Sequence, residues 1–337
     1  MNNNIYLESG YLDMAAILAY KRPFTFIVGG RGIGKTYGAL KYAIENKIKF
    51  MLMRRTQTQT DLINKPEFSP LKPIADDLGI DIIVKSISKY NSAVILEDET
   101  IGYTCALSTI SNMRGFDASN VDLLLYDEFC SEPHEKQLKQ EGTAFLNAYE
   151  TINRNRELPP KNKPPLQCLL MANSFNIGNP IFLEMGIVNI AAKMQRDGRE
   201  IYLNNNGVAL IMPNNSRISE AKKNTALYKA THNTTFGRMA LGNEFSYNPS
   251  DNIGSRTLKE YKPLVTVGGI TIYKHRANRT YYITEQDNGS QNKFNTDTVD
   301  LKRFLKKYGV ILYNAYMANN IVFSNMLTKQ LFELYII

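Results

Sequence analysis

A chain of 337 residues with 43% apolar and 21% charged side chains is long enough for two domains that each bury a core, and its composition excludes a disordered or fibrous protein. No apolar run approaches the roughly 20 residues of a membrane-spanning helix, and Met1-Asn2-Asn3-Asn4 lacks a basic-then-apolar signal region, so no membrane partner and a cytoplasmic location are expected. The net charge of +8 is uneven: 23 basic residues face 23 acidic ones over 1–205, whereas 17 face 9 over 206–337.

The first apolar run, 24–28, reads as a strand. It leads into Gly29-Gly30-Arg31-Gly32-Ile33-Gly34-Lys35-Thr36, which fits G-x-x-x-x-G-K-[ST], and then into a predicted helix over 35–46. Glycines let successive backbone N–H groups turn toward a phosphate, Lys35 reaches the β/γ oxygens, and the Thr36 hydroxyl is placed to ligate Mg²⁺. The helix N-terminus faces the same anion. All eight residues are therefore expected to bind nucleotide.

A second strand, 50–53, ends in Arg54-Arg55, and shorter strands at 80–84, 93–97 and 102–107 suggest an antiparallel extension. The apolar run 121–126 closes on Asp127-Glu128. Paired carboxylates at a strand end downstream of a phosphate loop divide the work of hydrolysis: Asp127 is expected to hold Mg²⁺, and Glu128 to orient and deprotonate water. A helix over 138–153 leads to Arg154 and Arg156, and the proline-rich 158–165 cannot be helical. Strand 166–172 then ends in Asn173-Ser174, where Asn173 is placed to sense a γ-phosphate or simply to turn the chain. With a further helix at 180–195, strands alternate with helices, which predicts an α/β domain over 1–205 built on a parallel sheet with crossover helices.

Residues 206–255, with a candidate strand at 208–212 and some helix near 221–230, read as a connecting segment. Strands at 264–267, 270–274 and 279–284 follow, with Gly268-Gly269 as a hairpin turn, and a helix over 298–308 completes a small α+β domain over 256–337. The excess of basic residues after 205 favours a polyanionic partner whose affinity falls with salt. Cys105, Cys130 and Cys168 show neither paired nor metal-binding spacing and are expected to be buried thiols.

A carboxylate placed to activate water favours hydrolysis over phosphoryl transfer to a small acceptor. Asn64-Lys65-Pro66-Glu67 only approximates a guanine-reading sequence, so ATP is the expected nucleotide. Arginines stabilise the charge that develops on the γ-oxygens. Arg31 would act within its own subunit, Arg154 or Arg156 on a neighbour's nucleotide, and Arg54-Arg55 and Arg114 are further candidates.

With its phosphate loop, Arg54-Arg55, Asp127-Glu128 and Asn173, the chain resembles the DNA-packaging (encapsidation) ATPases of small tailed bacteriophages of the podovirus type. The resemblance implies a P-loop ASCE (additional-strand, catalytic-glutamate; RecA-like) sheet over 1–205. It also implies a C-terminal domain resembling a degenerate RNase H-like nuclease, and kinship with large terminases and FtsK/HerA translocases. The implied partners are a homo-oligomeric ring, a pentamer, the portal of a prohead in the host cytoplasm, and double-stranded DNA driven inward. An arginine acting in trans carries over to Arg154 or Arg156. A working two-metal nuclease is not expected, because 264–284 contains no acid and only Glu285, Asp287, Asp297 and Asp300 lie near downstream. Lys274, His275, Arg276 and Arg279 crowd the hairpin, either as a surface for DNA, structural RNA or portal, or as an edge that discourages aggregation. Competing readings are another nucleic-acid motor (helicase or large terminase), a P-loop kinase, or a module that only binds ATP.

Overall fold

The computed structural model describes residues 4–113, 115–131, 135, 138, 140–173, 179–231, 234, 237 and 252–336. The chain divides into two compact units, Met1–Met185 with Met194–Tyr247, and Gly186–Lys193 with Asn248–Ile337.

The first unit is built on a nine-stranded sheet. Its strands are β1 (Phe24–Val28), β2 (Phe50–Arg54), β3 (Ile82–Ser86), β4 (Asn91–Leu96), β5 (Glu99–Ala106), β6 (Leu123–Asp127), β7 (Gln167–Ala172), β8 (Ile201–Leu203) and β9 (Val208–Ile211). They stand in the order β3-β4-β5-β2-β6-β7-β1-β9-β8. The six strands from β5 to β9 in that order are mutually parallel, while β3/β4, β4/β5 and β8/β9 pair antiparallel. The runs FMLMR, LLLYD and VALI of β2, β6 and β9 are buried at every position, as strands covered on both faces by helices must be. β7 lies between β1 and β6, which is the additional-strand arrangement. Because the central strands are parallel, the carboxyl ends of β1, β2, β6 and β7 share one edge, where loops of such sheets bind ligands.

Two expectations need correction here. Residues 206–255 are not simply a linker, and the sheet does not stop at 205: Val208–Ile211 pairs with β1 along its length, Phe24 opposite Val208 and Ile27 opposite Ile211. Its fully buried apolar run belongs to the sheet core, and the first unit continues to Tyr247. The single helix expected over 180–195 is two helices, Pro180–Glu184 and Val188–Asp197, broken at Gly186, whose φ of +66° is left-handed. The helices Lys35–Glu45 and Glu141–Asn153 follow the sequence pattern closely.

The second unit carries a five-stranded sheet of β10 (Tyr261–Val267), β11 (Ile270–His275), β12 (Tyr281–Thr284), β13 (Lys293–Phe294) and β14 (Ile321–Phe323), ordered β13-β10-β11-β12-β14. β10, β11 and β12 form an antiparallel meander, and β14 adds in parallel beside β12. Gly268 and Gly269 make the two-residue turn with φ of +49° and +85°, the left-handed pair that a right-twisted hairpin prefers. Asp297 caps the helix Thr298–Phe304, which passes through a π-turn, Leu305–Gly309, into Val310–Met317. The helical segment is thus longer than the 298–308 expected. Phe304, Leu312 and Phe332 pack with Val265, Ile272 and Phe323 to form this unit's core.

Packing generates two predictions. A Cβ on Gly142 would sit 2.5 Å from the backbone carbonyl oxygen of Pro180, which has no flexible side chain to move aside. Gly142→Ala should therefore destabilise the first unit by about 1–3 kcal/mol and lower its melting temperature; an unchanged melt would contradict the packing. Cys105 and Cys168 are buried free thiols, and burial pushes Cys105 up to about 12 and Cys168 well above the usual thiol range. Both should resist maleimide in the native protein and react on unfolding, which mass spectrometry would read; native labelling of either would contradict their placement.

Candidate nucleotide site

The phosphate loop hangs between two strand ends: β1 delivers the chain to Gly29, whose N–H donates to Ala172 at the end of β7 (3.2 Å). Gly32 and Gly34 adopt φ of +70° and +87°, which a side chain would strain, and Gly34 is the N-cap of Lys35–Glu45 without a side chain to cover the helix end. Lys35 is buried beneath the loop. Its ammonium donates to the carbonyls of Gly29 (2.8 Å) and Gly30 (2.7 Å) and to Asn173 Oδ1 (3.1 Å). Burial drives Lys35 down to about 7, opposed by Asp127 and reinforced by Lys222 and Arg31.

Thr36 Oγ1 donates to Asp127 Oδ1 at 2.9 Å, so the hydroxyl of the loop and the carboxylate of β6 converge. Both are hard oxygens, and the pair fits Mg²⁺, which takes a few protein oxygens together with phosphates. Asp127 is buried and its carboxyl is raised by that burial; Arg54 is the strongest opposing influence. Glu128, immediately after β6, takes φ of +57° and leaves its side chain 51% exposed. The left-handed turn separates the two adjacent carboxylates into a buried one and an accessible one, which suits a metal ligand and a base for water.

Arg54 was only one of several arginine candidates from sequence, and the structure places it at the centre. Its guanidinium sits 2.8 Å from Asp127 Oδ2 and also bonds Glu128. The strand pairing causes this: Met53 of β2 lies opposite Tyr126 of β6, so the next residues emerge together. Among the described residues, Arg54 Nε is buried without an acceptor. The neighbouring Arg55 differs, because Nε and Nη2 both bond Glu141 and Nη1 bonds Glu135, which makes it a structural bolt between β2 and the helix Glu141–Asn153.

Arg31, Gly32, Gly34, Lys35, Thr36, Asp127, Glu128 and Asn173 line one cavity of about 330 Å³. Five of the eight expected loop residues, both carboxylates and Asn173 are thus brought together on one cavity, which Gly29, Gly30 and Ile33 do not line. Ile33 is buried below the loop, and its carbonyl accepts from Leu12 N–H (3.1 Å). That contact brings the chain's first segment alongside a second cavity of about 770 Å³, lined by Tyr11, Asp13, Tyr37, Lys41 and Tyr42 and sharing Gly32 and Gly34 with the first. No sequence signal marks these residues. Nor does any mark Lys222, whose ammonium reaches the Arg31 carbonyl at 2.5 Å from the helix Arg217–Lys222.

Arg156 is corrected. It is 5% exposed, donates to the Val121 carbonyl at 2.6 Å and bonds Asp122, so its charge is spent at the start of β6, the opposite end of the strand from Asp127. Arg154, half-buried, donates to the Phe116 carbonyl at 2.6 Å and lies 3.8 Å from Asp117, on the same approach to β6. Neither meets this chain's own phosphate loop. Arg114 and Ser174 lie outside the described residues. In the second unit, Glu285 accepts from Asn325 (2.9 Å), Asp287 pairs with Lys293 (2.7 Å), Asp297 caps its helix and Asp300 accepts from Asn295 N–H. Among the described residues no group of three or more His, Cys, Asp or Glu converges as a metal site, and no helix is long and apolar enough to cross a membrane.

The profile of the podovirus DNA encapsidation protein (Gp16) family matches residues 7–321. The DNA packaging protein of Bacillus phage B103 is 24% identical over 317 residues, covering 90% of this chain and 89% of that protein. The DNA packaging protein of Bacillus phage phi29 is 25% identical over 244 residues, 71% of this chain and 67% of that protein. In fold, the chain is similar over 97% of its length to a chain of the bacteriophage Phi-29 viral genome packaging motor assembly (TM-score 0.69, 19% identity, 99% of that chain). It is equally similar over 97% of its length to a chain of the Phi-28 gp11 DNA packaging motor (TM-score 0.67, 18% identity, 98% of that chain). A family match spanning nearly the whole chain, on a fold that presents a phosphate loop and a carboxylate pair at one sheet edge, makes this protein a member of the podovirus DNA encapsidation protein (Gp16) family.

Proposed function

We propose that this chain is the ATP-hydrolysing subunit of a viral DNA-packaging motor, a homomeric ring at the portal of a prohead that drives double-stranded DNA inward. The observation that carries the hydrolytic part is the convergence of Thr36, Asp127 and Glu128 on the cavity that the phosphate loop opens into. The triphosphate seats on the loop's N–H groups, and Lys35 turns from the Gly29 and Gly30 carbonyls to the outer phosphates. Thr36 and Asp127 would hold Mg²⁺, which supplies charge neutralisation at the phosphates. Glu128 orients the attacking water and accepts its proton, while Asn173, on the strand between the two motifs, holds Lys35 and faces the same space. Arg31 lies in the wall and adds positive charge where negative charge redistributes. The larger neighbouring cavity, with Tyr11 against Gly34, has the size and aromatic lining for the nucleoside.

Arg54 sets a condition on this chemistry. While its guanidinium bonds Glu128, that carboxylate is engaged and not free to hold the attacking water, so turnover requires the pair to part. Among the described residues Nε finds no acceptor, so the clamp is less fully satisfied than that of Arg55 and release is less costly. A second subunit's arginine at the γ-phosphate remains part of the proposal, with Arg154 as the candidate of the original pair.

Glu128→Gln keeps the shape and removes the base. It should lower ATP turnover by about 10²–10⁴-fold while nucleotide binding is retained, and unchanged turnover would contradict the assignment. The basic excess of residues 206–337 and the family predict that duplex DNA stimulates ATP turnover and that stimulation fades as salt rises. A steady-state assay with DNA, free and with proheads, checks this; absence of stimulation in both would count against a DNA motor.

A further inference from the structure

β9 runs parallel to β1, so the chain leaving Ile211 emerges beside the phosphate loop. Pro213 packs there: a Cβ on Gly29 would lie 3.2 Å from its Cδ. Ser216 Oγ then donates to the Gly10 carbonyl at 2.8 Å, fixing the start of the helix Arg217–Lys222, and the last residue of that helix turns back onto the loop. Lys222 Nζ donates to the Arg31 carbonyl at 2.5 Å and occupies the space a Gly32 side chain would need, 2.2 Å from an ideal Cβ. No carboxylate pairs with it among the described residues. Partial burial lowers its ammonium, and it repels Lys35 closely enough to lower that group too.

Lys35 and Lys222 thus both donate to backbone carbonyls of the same loop. A backbone carbonyl is a neutral partner for an ammonium, and a phosphate oxygen is a stronger, charge-assisted one. We propose that Lys222 is a second phosphate-binding lysine, which leaves the Arg31 carbonyl for the outer phosphate oxygens when a nucleoside triphosphate is seated. Gly32 then has two reasons to lack a side chain: its left-handed φ and the seat it gives this ammonium. Loss of the outer phosphate would return the Lys222 ammonium to the Arg31 carbonyl.

The proposal rests on the nucleotide-site reading above, and calorimetry on the full chain separates the two. Lys222→Met should weaken binding of a non-hydrolysable ATP analogue with Mg²⁺ by about ten- to a hundredfold and change ADP binding by less than about twofold, with an unaltered melting temperature. Lys222→Arg should recover most of the loss, since the contact is to an anion. Unchanged analogue affinity in Lys222→Met would overturn the proposal. Equal losses for both nucleotides with a lowered melting temperature would overturn it as well, by assigning Lys222 to support of the loop. Lys35→Ala serves as the reference: it should abolish binding of both nucleotides, and retained binding there would overturn the site reading and this proposal with it.

Discussion

A guanidinium held between two carboxylates governs the rest of this site. Asp127 must stay ionised in a dry strand end to serve as a metal ligand, and burial alone opposes that. Arg54 supplies the opposing charge at 2.8 Å, from a strand that pairs directly with β6. The same side chain also bonds Glu128, so one cation supports the proposed metal ligand and restrains the proposed base. Removing Arg54 would leave the buried Asp127 charge facing the full cost of desolvation, which is why Asp127 and Arg54 act as a unit. The sheet order makes the unit possible: β2, β6, β7 and β1 stand side by side, and their carboxyl ends present Arg54, Asp127, Asn173 and the phosphate loop in one row.

Much of this was legible because it is local. The phosphate loop announces itself through glycines at fixed spacing between a strand and a helix, and the carboxylate pair through an apolar run ending in two acids. Both signals lie within ten or so residues, where backbone geometry and side-chain chemistry are coupled. The role of Arg54 was not legible, since its partners lie more than seventy positions away and the choice between Arg54 and Arg55 depends on where each side chain emerges as β2 ends. The surroundings of Arg156 were hidden for the same reason. Its position between two motifs in the chain suggests catalysis, but the helix Glu141–Asn153 carries it back to the start of β6, where it bonds Val121 and Asp122. The boundary near 205 failed because Val208–Ile211 is only four residues long, too short to distinguish from a strand of a second domain until it is seen beside β1.

The two units divide the chemistry. The residues proposed for hydrolysis belong to the first, whose charges balance over 1–205, while the surplus of positive charge begins with the segment that carries Lys222. In the second unit the acids near the meander are each engaged in caps, turns or surface pairs, and its core is an ordinary sheet-and-helix packing around Phe304, Phe323 and Phe332. The basic excess after 205 suits a polyanion.

The claim on which the account turns is that Glu128 is restrained by Arg54 and becomes a base only when that bond parts. A high-resolution structure of the assembled motor with Mg²⁺, ADP and aluminium fluoride tests it directly. The account predicts Glu128 turned away from Arg54 and bonded to the ligand in line with the fluoride, with a metal ion between Thr36 and Asp127. A transition-state complex in which Arg54 still bonds Glu128, and another group holds the in-line ligand, would contradict it.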